Sequence, residues 1–141
     1  MKLSTRSRYS TRIILELARH EGAAPIQVSE LSRRQRIPVK YLEQLIRTMK
    51  EAGLVKSTRG SKGGHQINCP PEEITVGQIV RLFEGQSDLV VCVGMPEKCD
   101  MADECIVRSV WLDATKAMYE KLDKITIADL LKPTERICQS A

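Results

Sequence analysis

At 141 residues, with 42% hydrophobic and 28% charged side chains, the chain is expected to form one globular domain with a dimerising extension. No apolar run approaches the ~18 residues needed to span a bilayer, and the basic start MKLSTRSRYSTR runs straight into an amphipathic segment, so we read no membrane span and no signal peptide and expect a cytoplasmic protein. Residues 1–64 carry 14 basic and 5 acidic side chains, a net +9, whereas residues 65–141 carry 8 and 13, a net −5, which points to a polyanion such as nucleic acid as the partner of the first half.

Only 4% of residues are aromatic, so the core must be mainly aliphatic, which suits packed helices. The first helix is expected from Ser7 to Arg19, with Tyr9, Ile13 and Leu17 on one stripe, widened by Ile14 and Ala18. Gly22 and Pro25 end it. VSELSRRQ then forms a short helix with Val28 and Leu31 inward, and Arg36–Ile37–Pro38 makes a tight turn into VKYLEQLIRTMKEAG. In that second, longer helix Val39, Leu42, Leu45, Ile46 and Met49 share a face, while Lys40, Glu43, Gln44, Arg47 and Lys50 share the opposite one. Short helix, turn, longer helix with a polar and basic outer face is the helix-turn-helix pattern.

Two short strands, Leu54–Arg59 and His65–Asn68, follow around GSKGG, whose glycines permit the positive φ a hairpin needs; this is a wing. Thr75 opens the helix ITVGQIVRLFEG, with Gln78 in place for a capping box and Val76, Ile79, Val80 and Phe83 facing inward. After an irregular stretch from 85 to 103, a long helix is expected from about Ala102 to Lys124. Its apolar seam of Val107, Val110, Ala114, Ala117 or Met118, Leu122 and Ile125 needs a partner surface, most economically a second copy of the chain. Thr126 begins a last helical turn that Pro133 closes.

Three of the five cysteines crowd together as Cys92-x6-Cys99-x5-Cys105. In a reducing compartment such clustering argues for metal or redox chemistry rather than disulfides. The expected helix places Cys105 in its first turn, where the positive end of the dipole favours thiolate. Soft thiolates select iron–sulfur clusters, zinc or copper(I). The spacings are wide for a zinc knuckle and no histidine stands nearby, which favours a cluster, with zinc or unligated thiols as alternatives. Cys69 is read as a small packing side chain, Cys138 as an exposed tail thiol, and neither His20 nor His65 as a ligand.

MKLSTRSRY, KYLEQLIRTMKEAGLVKSTRG, SKGGHQI, ITVGQIVRLFEG and the three cysteines ahead of a Trp-containing helix together resemble the IscR/NsrR/CymR family of winged-helix transcription regulators, over nearly the whole chain. The resemblance implies a mainly α fold with a small β-wing, a homodimer that crosses its long helices, and a two-fold symmetric double-stranded operator. It places Lys40, Tyr41, Glu43 and Gln44 at the major groove and Arg59 in the minor groove. The chemistry agrees, since Glu43 can accept from cytosine N4, Gln44 can read adenine and arginine suits a narrow minor groove. Arg47, Lys50, Lys56 and Lys62 are then phosphate contacts.

The resemblance also implies an iron–sulfur cluster, 2Fe-2S or 4Fe-4S, held by Cys92, Cys99 and Cys105. The fourth ligand departs from the family's pattern. Arg108 stands where IscR-like members carry histidine and Arg8 where NsrR-like members carry aspartate, so the fourth position is left to Asp100, Asp103 or Glu104 nearby, to an exogenous small ligand, or to an open iron. The expected organisation is a DNA-binding domain over 1–84, a cluster-binding loop over 85–105, a dimerisation helix over 102–125 and a short helix and tail over 126–141. The expected function is a cytoplasmic repressor whose operator affinity follows a cluster that senses cluster supply, iron, nitric oxide or redox state. A thiol-switch or zinc-bearing regulator is the alternative. A small redox carrier or enzyme is disfavoured, because the sequence has no C-x-x-C pair and no catalytic constellation.

Overall fold

A computed structural model describes residues 2–85 and 88–133; Cys138 and the rest of the tail lie outside the described residues. The helices are α1 (Thr5–Arg19), α2 (Val28–Gln35), α3 (Val39–Glu51), α4 (Val76–Glu84), α5 (Val91–Gly94), α6 (Ile106–Asp123) and α7 (Ile127–Leu131). Strands β1 (Val55–Thr58) and β2 (Gly64–Ile67) lie between α3 and α4, and single 3-10 turns occur at Pro71–Glu73 and Pro96–Lys98.

One aliphatic core joins these elements. Ile13, Ile14 and Leu17 from α1 meet Leu31 from α2, Leu42, Leu45 and Met49 from α3, Ile79 and Phe83 from α4, and Ile127 from α7. Most of them are completely covered, and each such Leu or Ile is worth about 1.5–3 kcal/mol relative to exposure. The expected inward faces of α1, α3 and α4 are observed, because the spacing of their apolar residues follows the helical repeat, except that Val39, the first residue of α3, is exposed rather than inward. The helix-turn-helix angle is set at Arg36, whose backbone is left-handed (φ 55°, ψ 45°). Ser32 supports that turn by donating its hydroxyl to the Ile37 carbonyl at 2.6 Å.

Helix α1 begins two residues before the sequence-based expectation. Ser4 is its N-cap and accepts from the Ser7 amide at 3.3 Å. Ser4 is itself held by Glu84 at the end of α4, to which its backbone N–H and hydroxyl donate at 2.9 and 2.6 Å. A carboxylate eighty residues away thus fixes where α1 starts, which no local pattern can announce.

The wing pairs Val55 with Ile67, Lys56 with Gln66, Ser57 with His65 and Thr58 with Gly64, antiparallel. Ile26 exchanges both backbone hydrogen bonds with His65 at 3.0 and 2.8 Å, so β2 is flanked on its second side by a one-residue strand from the α1–α2 connection. Gly64 makes that approach possible, since a Cβ there would lie 2.5 Å from the Ile26 carbonyl oxygen.

Behind the wing, the amide of Val76 donates to the Ile125 carbonyl and that of Ile127 to the Ile74 carbonyl, at 2.9 and 2.8 Å. These bonds tie both ends of the α6–α7 junction to the segment that starts α4. Thr75 caps α4 by accepting from the Gln78 amide at 3.1 Å, while the complete reciprocal capping box forms at Thr126 and Asp129. Lys132 and the Thr126 groups hold the Asp129 carboxyl down at about 2, the Thr126 backbone N–H contributing most. Among the described residues no helix is long and apolar enough to cross a membrane.

Candidate nucleic-acid interface and cysteine segment

Four apolar residues of α3, Leu42, Leu45, Ile46 and Met49, are buried, and this rotates Lys40, Glu43, Gln44, Arg47 and Lys50 to the exposed face. Those five side chains form one polar strip, as their spacing predicted. Tyr41 sits differently from its fellows. It is half-buried and packs edge-on against Tyr9 of α1, ring centroids 6.1 Å apart, so its ring also braces α3 on α1. Arg12 lies over the Tyr9 ring at 5.3 Å and donates to Gln35, joining the middle of α1 to the C-terminal end of α2.

Arg59 and Lys62 are exposed in the wing turn, where Lys62 borders a hollow with Ile26, Gln27, Glu30 and Arg34. Gln27 supports that turn by donating to the Ser61 carbonyl at 3.2 Å. The alternation of the hairpin separates the remaining wing residues into two faces. Ser57 and His65 form one cross-strand pair and Lys56 with Gln66 the next. His65 lines a cleft shared with Glu43, Ile46, Arg47, Lys50 and Glu51 of α3, whereas Lys56 and Gln66 border a different hollow, with His20 and Cys69. Lys56 is thus removed from the cleft that Arg47 and Lys50 share as cationic groups, and Lys62 borders another hollow, with Glu30 and Arg34.

The sequence placed His65 in the wing and gave it no ligand role, because a histidine in a hairpin carries no further signal of its own. The signal that could have found it is the cross-strand pairing with Ser57 once the GSKGG turn is set. His65 Nδ1 lies 2.7 Å from the Ser57 hydroxyl. Burial pushes the imidazole below its ordinary value, Lys50 adds to this, and Glu43 opposes it.

The cysteine segment is organised on α6. Cys92 lies in α5, Cys99 follows the Pro96–Lys98 turn, and Cys105 is the N-cap of α6 with extended backbone. Cys105 therefore stands one residue before the helix rather than inside its first turn. Residues 99–104 instead fold into successive turns, with Ala102 buried and bonded back to the Cys99 carbonyl at 3.0 Å. Cys69, Cys92, Cys99 and Cys105 are all unpaired and half-buried. Cys69 donates weakly to the Gly53 carbonyl and packs on the core, in keeping with a packing role. Three part-accessible thiols are a soft donor set that suits an iron–sulfur cluster or zinc, but among the described residues no three His, Cys, Asp or Glu side chains converge on one metal position.

Arg108 crosses this segment. Its Nε–H donates to the Cys92 carbonyl at 2.8 Å, which straps α5 to α6. A second strap is made by Thr115, buried on α6, whose hydroxyl accepts from the Leu89 amide at 3.2 Å and donates to the Trp111 carbonyl at 2.8 Å. Asp100, Asp103 and Glu104 are exposed.

The two halves of α6 differ. The C-terminal half leans on α4, where Arg81 grips Asp123 through both nitrogens at 2.6 and 2.7 Å and lies over the Tyr119 ring at 4.4 Å. Gly77 faces the Asp123 carboxylate with no room for a side chain. The N-terminal half is bare, with Ile106 at 85% exposure, Val110 at 54% and Trp111 at 40%, along with Val107 and Leu112. Of the expected seam, Val107, Val110 and Ala117 are exposed, while Ala114, Met118, Leu122 and Ile125 are partly covered by the chain's own fold.

Comparison with known proteins places this architecture. The family Rrf2, described as an iron-dependent transcriptional regulator, matches residues 3–133. Protein rrf2 of Nitratidesulfovibrio vulgaris is 42% identical over 94% of this chain and 88% of its own length. Among solved structures, T. potens IscR superposes with a TM-score of 0.76 at 36% identity, covering 94% of this chain and 87% of that one. CymR, the global cysteine regulator of B. subtilis, gives 0.75 at 35% identity over 92% and 95%.

Proposed function

The chain belongs to the Rrf2 family of transcriptional regulators, not of enzymes, and from that premise we propose a cytoplasmic, homodimeric repressor whose affinity for a double-stranded operator is set by an iron–sulfur cluster on Cys92, Cys99 and Cys105. The observation that carries the reading is the exposed strip of Lys40, Glu43, Gln44 and Arg47 on α3, together with a wing whose turn exposes Arg59 and Lys62. Inserted in a major groove, α3 offers Glu43 and Gln44 to base edges, while Lys40 and Arg47 meet the phosphates that border the groove. Arg59 enters the neighbouring minor groove from the wing. Tyr41 braces the helix on Tyr9 and keeps the strip at a fixed height.

Two copies joined through Ile106, Val107, Val110 and Trp111 bury the bare half of α6 and present two recognition helices to two half-sites. When bound, a 2Fe-2S or 4Fe-4S cluster supplies a centre whose presence and oxidation state respond to iron, oxidants and nitric oxide. The chain's own contribution is mechanical. Arg108 and Thr115 strap the cysteine segment to α6, and the Arg81–Asp123 pair joins α6 to α4. Glu84 joins α4 to the start of α1, so the position of the cysteine segment is connected to the body that carries α3. Such coupling is reciprocal, so operator DNA alters how firmly the cysteine segment holds its ligand.

A thiol switch without metal is the second reading. It is favoured by the absence of a convergent metal position among the described residues and by Arg108, a cation with no capacity to ligate, standing where the family's histidine would be. Iron and acid-labile sulfide analysis of anaerobically purified protein separates the two. Iron and sulfide lost on Cys92→Ala, Cys99→Ala or Cys105→Ala, but kept on Cys69→Ala, support the cluster. Equal operator affinity of the loaded and stripped protein at fixed salt defeats cluster control.

A further inference from the structure

The cleft between α3 and the wing holds a titratable group that the reading above does not use. His65 lines it together with Glu43, Arg47 and Lys50. Its Nδ1 is engaged by Ser57, while Nε2 has no hydrogen-bond partner among the described residues. The imidazole is not needed to hold β2, whose position is fixed by backbone bonds to β1 and to Ile26 on its other side. Its place in the cleft therefore calls for another account.

Duplex geometry supplies one. Where α3 occupies a major groove and the wing the adjacent minor groove, the sugar–phosphate strand dividing those grooves must run over the cleft between the two elements. We propose that His65 is a backbone-phosphate contact of the DNA complex and takes up a proton from solvent when the duplex docks. This rests on the DNA-binding reading. Arg47 and Lys50 bring permanent positive charge to the same cleft, and His65 brings a conditional one.

The surroundings fix the sign. Facing His65 from α3 are Glu43, Arg47, Lys50 and Glu51. β1 offers only the uncharged Ser57 hydroxyl on that face, Lys56 being on the other, and Ile26 with Gln27 adds no charge from the α1–α2 connection. Burial first, then Lys50, keeps the ring neutral in the free protein near neutral pH. A phosphate brought to the ring favours the imidazolium and raises its pKa in the complex. Proton uptake on binding means that affinity rises as pH falls, through the window between the bound and the free pKa, and is level outside it.

The test uses full-length protein and a fluorescein-labelled duplex of about 30 base pairs, long enough for two half-sites, selected on this protein from a random pool. Anisotropy at constant ionic strength from about pH 5.5 to 8.5 should show wild-type affinity falling with rising pH by up to roughly tenfold per pH unit for each subunit. His65→Gln should flatten the profile, and His20→Gln should leave it as in the wild type. The salt dependence of wild type should be steeper at the acid end by roughly 0.9 per subunit, and that difference should vanish in His65→Gln. As a second measurement, the chain has just two histidines, so NMR titration of the wild-type protein follows His65 directly, and its pKa should rise when the duplex is added. A pH profile unchanged by His65→Gln, or a His65 pKa unmoved by DNA, overturns the proposal. Tight binding with a flat wild-type profile overturns it alone, while no binding at any pH in low salt overturns the DNA-binding reading with it.

Discussion

The winged-helix body and the segment from 88 to 123 are built on opposite terms. Residues 2–84, joined by Ile127 of α7, bury the side chains of their four helices and the wing in one aliphatic core, and even their polar ends are tied across the fold, as Glu84 is to Ser4. In α6, eighteen residues long, Thr115 is the buried residue, and Ile106, Val107, Val110, Trp111 and Leu112 lie open. That much contiguous bare apolar surface marks a site of interaction with something outside the chain's own fold. The body therefore folds around its own core, whereas α6 is held against α4 at one end and leaves its apolar side chains uncovered at the other.

The sharpest way to break this contrast is to truncate one apolar residue in each region. Leu42→Ala, fully buried, should lose about 2–5 kcal/mol in denaturant unfolding. Val110→Ala should change the unfolding of dilute, monomeric protein by less than about 0.5 kcal/mol and yet weaken self-association in sedimentation equilibrium. A comparable loss at both positions in dilute protein would mean that α6 is covered by its own chain.

The boundary between the regions can be tested at Gly77, where a methyl group would drive the Asp123 carboxylate away from Arg81. Gly77→Ala should cost about 1–3 kcal/mol through overpacking, and the cost should shrink when Asp123 is also replaced by Ala. A gain in stability from the single change, as helix propensity alone predicts, would show that α6 is not clamped at this end.

On the DNA face, Glu43→Ala should relax discrimination at one base pair by about 1–3 kcal/mol. Arg59→Ala should weaken binding across sequences and lower the salt slope by roughly one. The smallest effect is expected at Glu84. Burial works against its charge, but hydrogen bonds from Ser4 and Ser7 prevail and hold its carboxyl below the usual value of 4.5. A depressed carboxylate stabilises above its unfolded pKa and loses that contribution as pH falls through the folded one. The stability difference between wild type and Glu84→Gln should therefore be full near neutral pH and close as the solution is taken into the acid range, followed by thermal melts.

Much of the DNA-binding body was legible because its signals are local. The apolar spacing of Ile13, Leu17, Leu42, Leu45 and Met49 specifies which face goes inward, and it leaves Lys40, Glu43, Gln44 and Arg47 outside. The glycines of GSKGG specify the hairpin. Less was legible where contacts join distant residues. The start of α6 was expected at Ala102, because an apolar pattern does not show that residues 99–104 close into turns around Ala102. Arg108 was read as a missing ligand, and its strap to Cys92 depends on how the loop folds over the helix.

By itself, then, the sequence determined the class of fold, the polar outer strip of α3 and the clustering of three thiols, since helical and hairpin periodicities and residue chemistry are properties of neighbours in the chain. Only the tertiary structure decided which wing face looks at α3, that His65 shares a cleft with Lys50 and Glu43, and that α6 is clamped at one end and bare at the other. Those are relations between residues tens of positions apart, and packing, not pattern, brings them together.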